Sequence, residues 1–147
     1  NYSTSATSGN YSTSATSGNY STSATSGDSS TSATSGYYST SATSGYSSTS
    51  ATSGDSSTSA TSGNYSTSAT SGYYSKAKAL GKHSCAVSGG LGGKVMGAEG
   101  CALFLVYRGD DTGEILHAKA AIVGRDGIKP DVFYTLDADG AFIEVEE

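Results

Sequence analysis

Side chains able to do chemistry are few in this chain and poorly grouped. Asp137-Ala138-Asp139-Gly140 has the beginning of a calcium loop, two carboxylates at alternate positions ahead of a glycine. The third acidic position and the distal glutamate that would close the oxygen cage are missing, so the stretch reads as a turn. His83, Cys85 and Cys101 offer one nitrogen and two sulfur ligands, but no Cys-x-x-Cys pair anchors them and no metal site is expected. His117 falls in an apolar run and reads as a packed or surface imidazole rather than a base. Hydroxyls abound, yet none has a histidine and an acid placed to activate it. No catalytic, cofactor or metal constellation emerges, and the chain is expected not to be an enzyme. Cys85 and Cys101 are too few for a disulfide framework and leave two readings, one bridge or two free thiols.

One modification pattern recurs. Asn-Tyr-Ser satisfies the N-glycosylation acceptor rule at Asn1, Asn10, Asn19 and Asn64. In a bacterial or viral setting it is a by-product of turn chemistry; in a secreted one it is a usable acceptor. The dense Ser and Thr also permit O-glycosylation, which would coat and stiffen the surface.

The element that must position all of these is a tandem nonapeptide. Asn1-Tyr2-Ser3-Thr4-Ser5-Ala6-Thr7-Ser8-Gly9 recurs with little change through eight copies, each ending in Gly, from Gly9 to Gly72. Such a period has to be read before any local motif. Residues 1–72 contain no Leu, Ile, Val, Phe, Met, Lys or Arg, and Asp28 and Asp55 carry their only side-chain charges. Position one is Asn, Asp or Tyr; Gly followed by Asn or Asp predicts a tight reversal, because these residues tolerate positive φ. Between reversals lie about six Ser- and Thr-rich residues without Pro, a strand's length. Each nonapeptide therefore reads as one strand plus one turn.

The degenerate ninth copy, residues 73–81, shows which side faces inward. Lys76 and Lys78 occupy positions four and six, while Ser75, Ala77 and Ala79 occupy three, five and seven. Lysine is almost never buried unpaired, so positions three, five and seven face in. The tenth copy agrees through Ser84, Ala86 and Ser88. In the first copy Ser3, Ser5 and Thr7 are then internal, and Tyr2, Thr4 and Ala6 external. A single nonapeptide spans only about 30 Å, too little to close a coil comfortably. The expected fold is all-β: a flattened β-solenoid-like array of about 18 residues per rung, its sheets close together and held by hydroxyl ladders. Ten units give five rungs, with like residues about 4.8 Å apart. Tyr2, Tyr20, Tyr38 and Tyr74 then share one outer contact column, and Thr4, Thr13, Thr22 and Thr31 form regular hydroxyl-and-methyl rows of the kind that could match ice or a crystal surface. The opposing expectation is disorder, since a Ser/Thr/Gly tract normally cannot offset its conformational entropy. Stacking of repeats, or burial of the Tyr face in a trimer or fibril, decides for order.

After Gly90 the period is expected to break. Residues 101–108 are a continuous apolar run, 114–123 return after a turn at 109–113, and 132–136 and 141–145 flank the turn at 137–140. Asp126-Gly127 is a hairpin signal. Four strands predict a small antiparallel β cap domain, a meander, with Leu103, Leu105, Ile115, Ala118, Ile122, Val132, Tyr134, Phe142 and Val145 as core. Such a cap would cover the exposed end of the solenoid. The domain reading is a repeat array over 1–90, with degenerate repeats and transition over 81–100, and a cap over 101–147.

Composition bounds the partners. A formal net charge of −5 without a basic patch argues against nucleic acid and anionic lipid. Neither an apolar run of spanning length nor a signal-peptide pattern is present. The first residue is Asn rather than Met, which leaves a processed product and a part of a longer chain as the two readings. Self-association into an oligomer or filament, and contact with a surface glycan or receptor, are the expected partnerships; no cofactor is expected.

Repeats that open on an aromatic residue or Asn/Asp, carry Ser at position three, small residues after it and Gly at position nine, and precede a short domain with Lys-x-Asp-x-aromatic-Tyr resemble an uncharacterised family found in bacterial and phage genomes. The matching tail here is Lys129-Pro130-Asp131-Val132-Phe133-Tyr134, then Leu136 and Gly140 to Glu144. The chain departs from that family at Ser5 and its equivalents, where Ala is usual. The resemblance transfers no activity. It implies a setting, extracellular or on a virion surface, in phage fibres, prophage-encoded proteins or bacterial surface filaments.

Overall fold

The computed structural model describes residues 1–147 and contains no helix. In every perfect nonapeptide the Thr-Ser-Ala-Thr core is extended, as β-branched Thr without Pro favours. These strands are β1 (Thr4–Ser8), β2 (Thr13–Ser17), β3 (Thr22–Ser26), β4 (Thr31–Ser35), β5 (Thr40–Thr43), β6 (Thr49–Thr52), β7 (Thr58–Thr61) and β8 (Thr67–Thr70). The chain continues through β9 (Lys76–Ala79), β10 (Cys85–Ser88), β11 (Lys94–Gly97), β12 (Ala102–Arg108), β13 (Ile115–Ile122), β14 (Phe133–Leu136) and β15 (Phe142–Val145).

Odd-numbered strands from β1 to β11 pair in parallel in one sheet, even-numbered strands from β2 to β12 in the other. Thr4 lies opposite Thr22 and Thr13 opposite Thr31, so one coil is two nonapeptides. The result is a β-solenoid with coils of about 18 residues and about 6 turns, one turn longer than the repeat count implies. The extra length arises because the period does not stop at Gly90. Lys94 still pairs with Lys76, and Ala102 pairs with Cys85 one residue short of the full step.

Alternation sets the interior as the two lysines imply. Ser21, Ser23 and Thr25 are buried, Thr22 is exposed and Ala24 is half-buried. The position-five serines form a zigzag between the sheets: Ser14 Oγ donates to Ser5 Oγ at 2.7 Å, Ser23 to Ser14 at 2.7 Å, Ser32 to Ser23 at 2.8 Å and Ser41 to Ser32 at 2.9 Å. Position-three serines lock the corners, as where Ser57 Oγ accepts from Ser39 N at 2.9 Å and donates to Gly36 O at 3.0 Å. Each such bond contributes about 1 kcal/mol net, so the interior is held by many small increments and not by apolar transfer. Position-seven hydroxyls are the exception: Oγ1 of Thr7, Thr16, Thr25, Thr34, Thr43, Thr52 and Thr61 is buried without a partner.

Towards the C-terminus the serine column turns apolar. Ala77, Ala86 and Val95 occupy position five and join Leu103, Leu105, Val123, Ile128, Tyr134 and Leu136 in one core. Hydroxyl packing and apolar packing are thus two ends of a single interior.

Gly at position nine is demanded mainly by stacking. A Cβ on Gly45 would lie 1.7 Å from the carbonyl oxygen of Gly27 one coil below, and one on Gly63 1.8 Å from that of Gly45. The positive φ expected at Asn and Asp is found one residue later, at Tyr11 (62°), Tyr20 (61°), Ser29 (58°), Tyr38 (53°) and His83 (56°). Gly, position one, position two and Ser form the corner, and the third residue of such a turn is the one that takes positive φ in type II geometry. A non-glycine residue there costs on the order of 1 kcal/mol. Bonds between stacked corners offset it, as where Tyr20 N donates to Tyr37 O at 2.8 Å.

The cap differs from a separate meander. β12 is the last parallel strand of its sheet, and β13 pairs antiparallel on it, with Leu103 opposite Ala121. β14 pairs antiparallel with β11, and β15 with β14, in the other sheet. The turn at Asp126-Gly127 therefore carries the chain from one sheet to the other and makes no hairpin. Both sheets and the core run through positions 90 and 101. Of the expected core, Leu103, Leu105 and Tyr134 are buried, and Val132 and Phe142 pack against them. Val145 is half-buried, while Ile115, Ala118 and Ile122 are exposed, since β13 is an edge strand with nothing over its outer face. Val123 and Ile128, at the crossing, take their place inside.

Candidate interaction surface

Parallel in-register coils turn each outward position into a straight column. Position four gives Thr4, Thr22, Thr40 and Thr58 on one sheet and Thr13, Thr31, Thr49 and Thr67 on the other. The threonine row proposed from the sequence is therefore two rows on opposite faces. Position six is alanine, shorter than its flanking Thr and Ser columns, and leaves a trough along the axis. On the odd-strand sheet Ala6, Ala24, Ala42 and Ala60 line a trough of about 500 Å3 that ends at Leu80.

The corners carry aromatic columns. Tyr2 stacks on Tyr20, and Tyr20 on Tyr38, with ring centroids 5.3 Å apart in both pairs. Tyr20 and Tyr38 take positive φ at position two, and all three rings stand exposed at the corner. Tyr74 shares the column but not the stack, because Ser56 intervenes; it lies over Gly92, where a Cβ would fall 2.6 Å from its ring. The opposite corner holds a second stack, one member of which, Tyr46, is not reached by counting in steps of one coil. Tyr46, at position one, meets Tyr65, at position two, at 5.3 Å, and Tyr65 stacks on His83 at 5.5 Å. Comparing neighbouring turn positions as well as equal ones would have found it.

Asn1, Asn10, Asn19 and Asn64 are all exposed at corners. Asn64 Oδ1 accepts from Lys82 N at 2.8 Å, and Asp28 and Asp55 do the same for Tyr46 and Tyr73 one coil on. The acceptor serines are less free: Ser66 is buried, and its Oγ donates to Gly45 O at 3.1 Å. A sugar on Asn64 would have to be attached before the coil closes.

The remaining chemical residues are not brought together. Of the two readings open for the cysteines, the structure has the free thiols: Cys85 stands at an outward position and Cys101 at an inward one. Cys101 Sγ donates to Gly81 O at 3.0 Å, and burial pushes its pKa upward. No group of three His, Cys, Asp or Glu side chains is placed to hold a metal ion. Asp137 Oδ1 accepts from Asp139 N at 3.0 Å and Ala141 N at 2.9 Å, so its carboxylate is used in the turn joining β14 to β15. His117 is a clasp: Nε2 donates to Ala138 O at 3.0 Å and ties β13 of one sheet to the last hairpin of the other.

Charge gathers on the odd-strand sheet near its end. Lys78 Nζ pairs with Glu147 at 2.5 Å, which lowers the Glu147 pKa, and Lys94 Nζ donates to Glu146 O at 2.6 Å. The even-strand sheet is apolar at the same level, where Val87, Phe104, Val106, Ala118 and Ala120 line a shallow hollow of about 360 Å3. No helix is long and apolar enough to cross a membrane. No family model, curated protein or solved structure matches the chain.

Proposed function

We propose that this chain is a non-enzymatic structural and adhesive rod, a segment of a phage fibre or bacterial extracellular filament. What supports this is the in-register stacking of identical outward residues, which converts a nine-residue unit into columns of Tyr, Thr, Ala and Ser along one axis. Repetition supplies length, hydroxyls supply solubility, and each column supplies many identical weak contacts that add by avidity. Self-association, or contact with a surface glycan or receptor, would run along those columns. Electron microscopy of the purified chain tests the role: straight particles, single or joined in bundles or filaments, are expected, and globular monomers without surface adhesion would refute it.

A second reading draws on the exposed Asn corners, a glycan-coated fibril in which the peptide is a scaffold. The native mass decides, because an unmodified 14.6 kDa excludes it. The flat Thr rows support a third role, binding to ice or another crystal surface. It predicts thermal hysteresis that is lost when Thr22 and Thr40 are replaced by bulky residues.

A further inference from the structure

We infer that Tyr2, Tyr20 and Tyr38 are a site of oxidative cross-linking, at which dityrosine bonds staple successive coils of one chain. The rings are stacked at 5.3 Å with interplanar angles of 27° and 10°, and Tyr20 and Tyr38 are 49% and 58% exposed. An oxidant therefore reaches each ring, and each ring's nearest aromatic neighbour belongs to the next coil. Because the three rings stand at least about half in solvent, a small side-chain tilt brings the carbons next to the phenol oxygens together.

The reaction uses a haem peroxidase with hydrogen peroxide as oxidant. Each of two phenols loses one electron and one proton to become a phenoxyl radical. The radicals join through ring carbons ortho to oxygen, and the hydrogens on those carbons move to the oxygens, restoring two phenols. Two electrons and two protons leave per bond formed and reduce one peroxide to two waters. Tyr20 has two ortho carbons and can be linked to both neighbours.

Position supports a stapling role. The stack spans the first coils, where the interior is hydroxylic and every position-seven Thr hydroxyl lacks a partner, far from the apolar core. A covalent bond between coils would hold the end of the rod that packing holds least.

The inference rests on the coil geometry and not on the fibre role. Because the nonapeptides beginning at Asn1, Asn10, Asn19 and Asn64 are identical, the test uses the full chain with Tyr11→Phe and Tyr65→Phe. Peroxidase with dilute peroxide should yield monomers lighter by two hydrogens per bond, and elastase digestion should recover Tyr2–Tyr20 and Tyr20–Tyr38 cross-links. The oxidised chain should melt at a higher temperature. Adding Tyr20→Phe should abolish both bonds and the rise in melting temperature, with the circular dichroism of the unoxidised chain unchanged. Coupling only between chains, or an identical cross-link pattern in urea, would overturn the inference.

Discussion

Ser32 Oγ donates to Ser23 Oγ at 2.8 Å across the gap between the two sheets, at a depth where an ordinary domain would place two aliphatic side chains. From Ser14 to Ser41 each hydroxyl of that column both donates and accepts, and further on Ser59 Oγ donates to the carbonyl of Ser50 instead. Ser41→Ala removes the donor to Ser32 Oγ and leaves Ser50 Oγ only the carbonyl of residue 41, which it reaches at 2.8 Å. Equilibrium unfolding should show a loss of about 1–2 kcal/mol. Replacing the whole column by Ala should cost less than the sum of single changes, since no hydroxyl is left stranded.

Position-seven threonines predict the opposite sign. Thr43 Oγ1 is buried and unpartnered, so Thr43→Val removes a desolvated hydroxyl while keeping the shape. The variant should gain about 1 kcal/mol in denaturant unfolding. Thr70→Val should gain nothing, because Thr70 Oγ1 donates to Ser88 Oγ at 3.2 Å.

The thiols differ in reach. Cys85 should react with iodoacetamide in the folded chain, whereas Cys101, buried and with its pKa raised, should react only on unfolding. Mass spectrometry after a timed pulse should find one adduct in buffer and two in guanidinium.

Acid should loosen the C-terminal clasp. Glu147 has its pKa lowered by the hydrogen bond and charge of Lys78, so its contribution is present above the ordinary carboxylate pKa of about 4.3 and is lost as pH falls through the depressed folded value. Lys129, raised by Glu144, contributes below the ordinary lysine pKa and is lost as pH rises through its elevated value. A carboxyl NMR titration should place Glu147 below the ordinary glutamate range, and Lys78→Met should bring it back up.

The coil was legible in the sequence because Lys76 and Lys78 betray the outward positions and Gly recurs at every ninth. The seat of positive φ was not, since residue preference points to Asn and Asp while turn geometry assigns it to the next residue, even when that is Tyr. The extent of the stack was hidden for a related reason. Lys94, Val95 and Met96 continue the in-out alternation after the Ser/Thr spelling has ended, so structural period outlasts textual period. The division of the four last strands between two sheets depends on long-range pairing that no local turn signal encodes. The Tyr2–Tyr20–Tyr38 column followed from the coil length, as does Tyr65 over His83, but the contact of Tyr46 with Tyr65 did not, because those two occupy different positions of the unit.

The columns, the serine interior and the stacked corners all depend on neighbouring residues being 18 apart, with Thr22 beside Thr40 in one sheet and Thr31 in the other. Nitroxide labels on Thr22→Cys and Thr40→Cys, in a chain carrying Cys85→Ser, measure this directly by dipolar broadening. Adjacent strands lie about 4.8 Å apart and should give strong broadening, while labels at 22 and 31 point away from opposite faces and should give far less. Equal broadening in the two pairs, stronger coupling between 22 and 31, or none in either would contradict the solenoid.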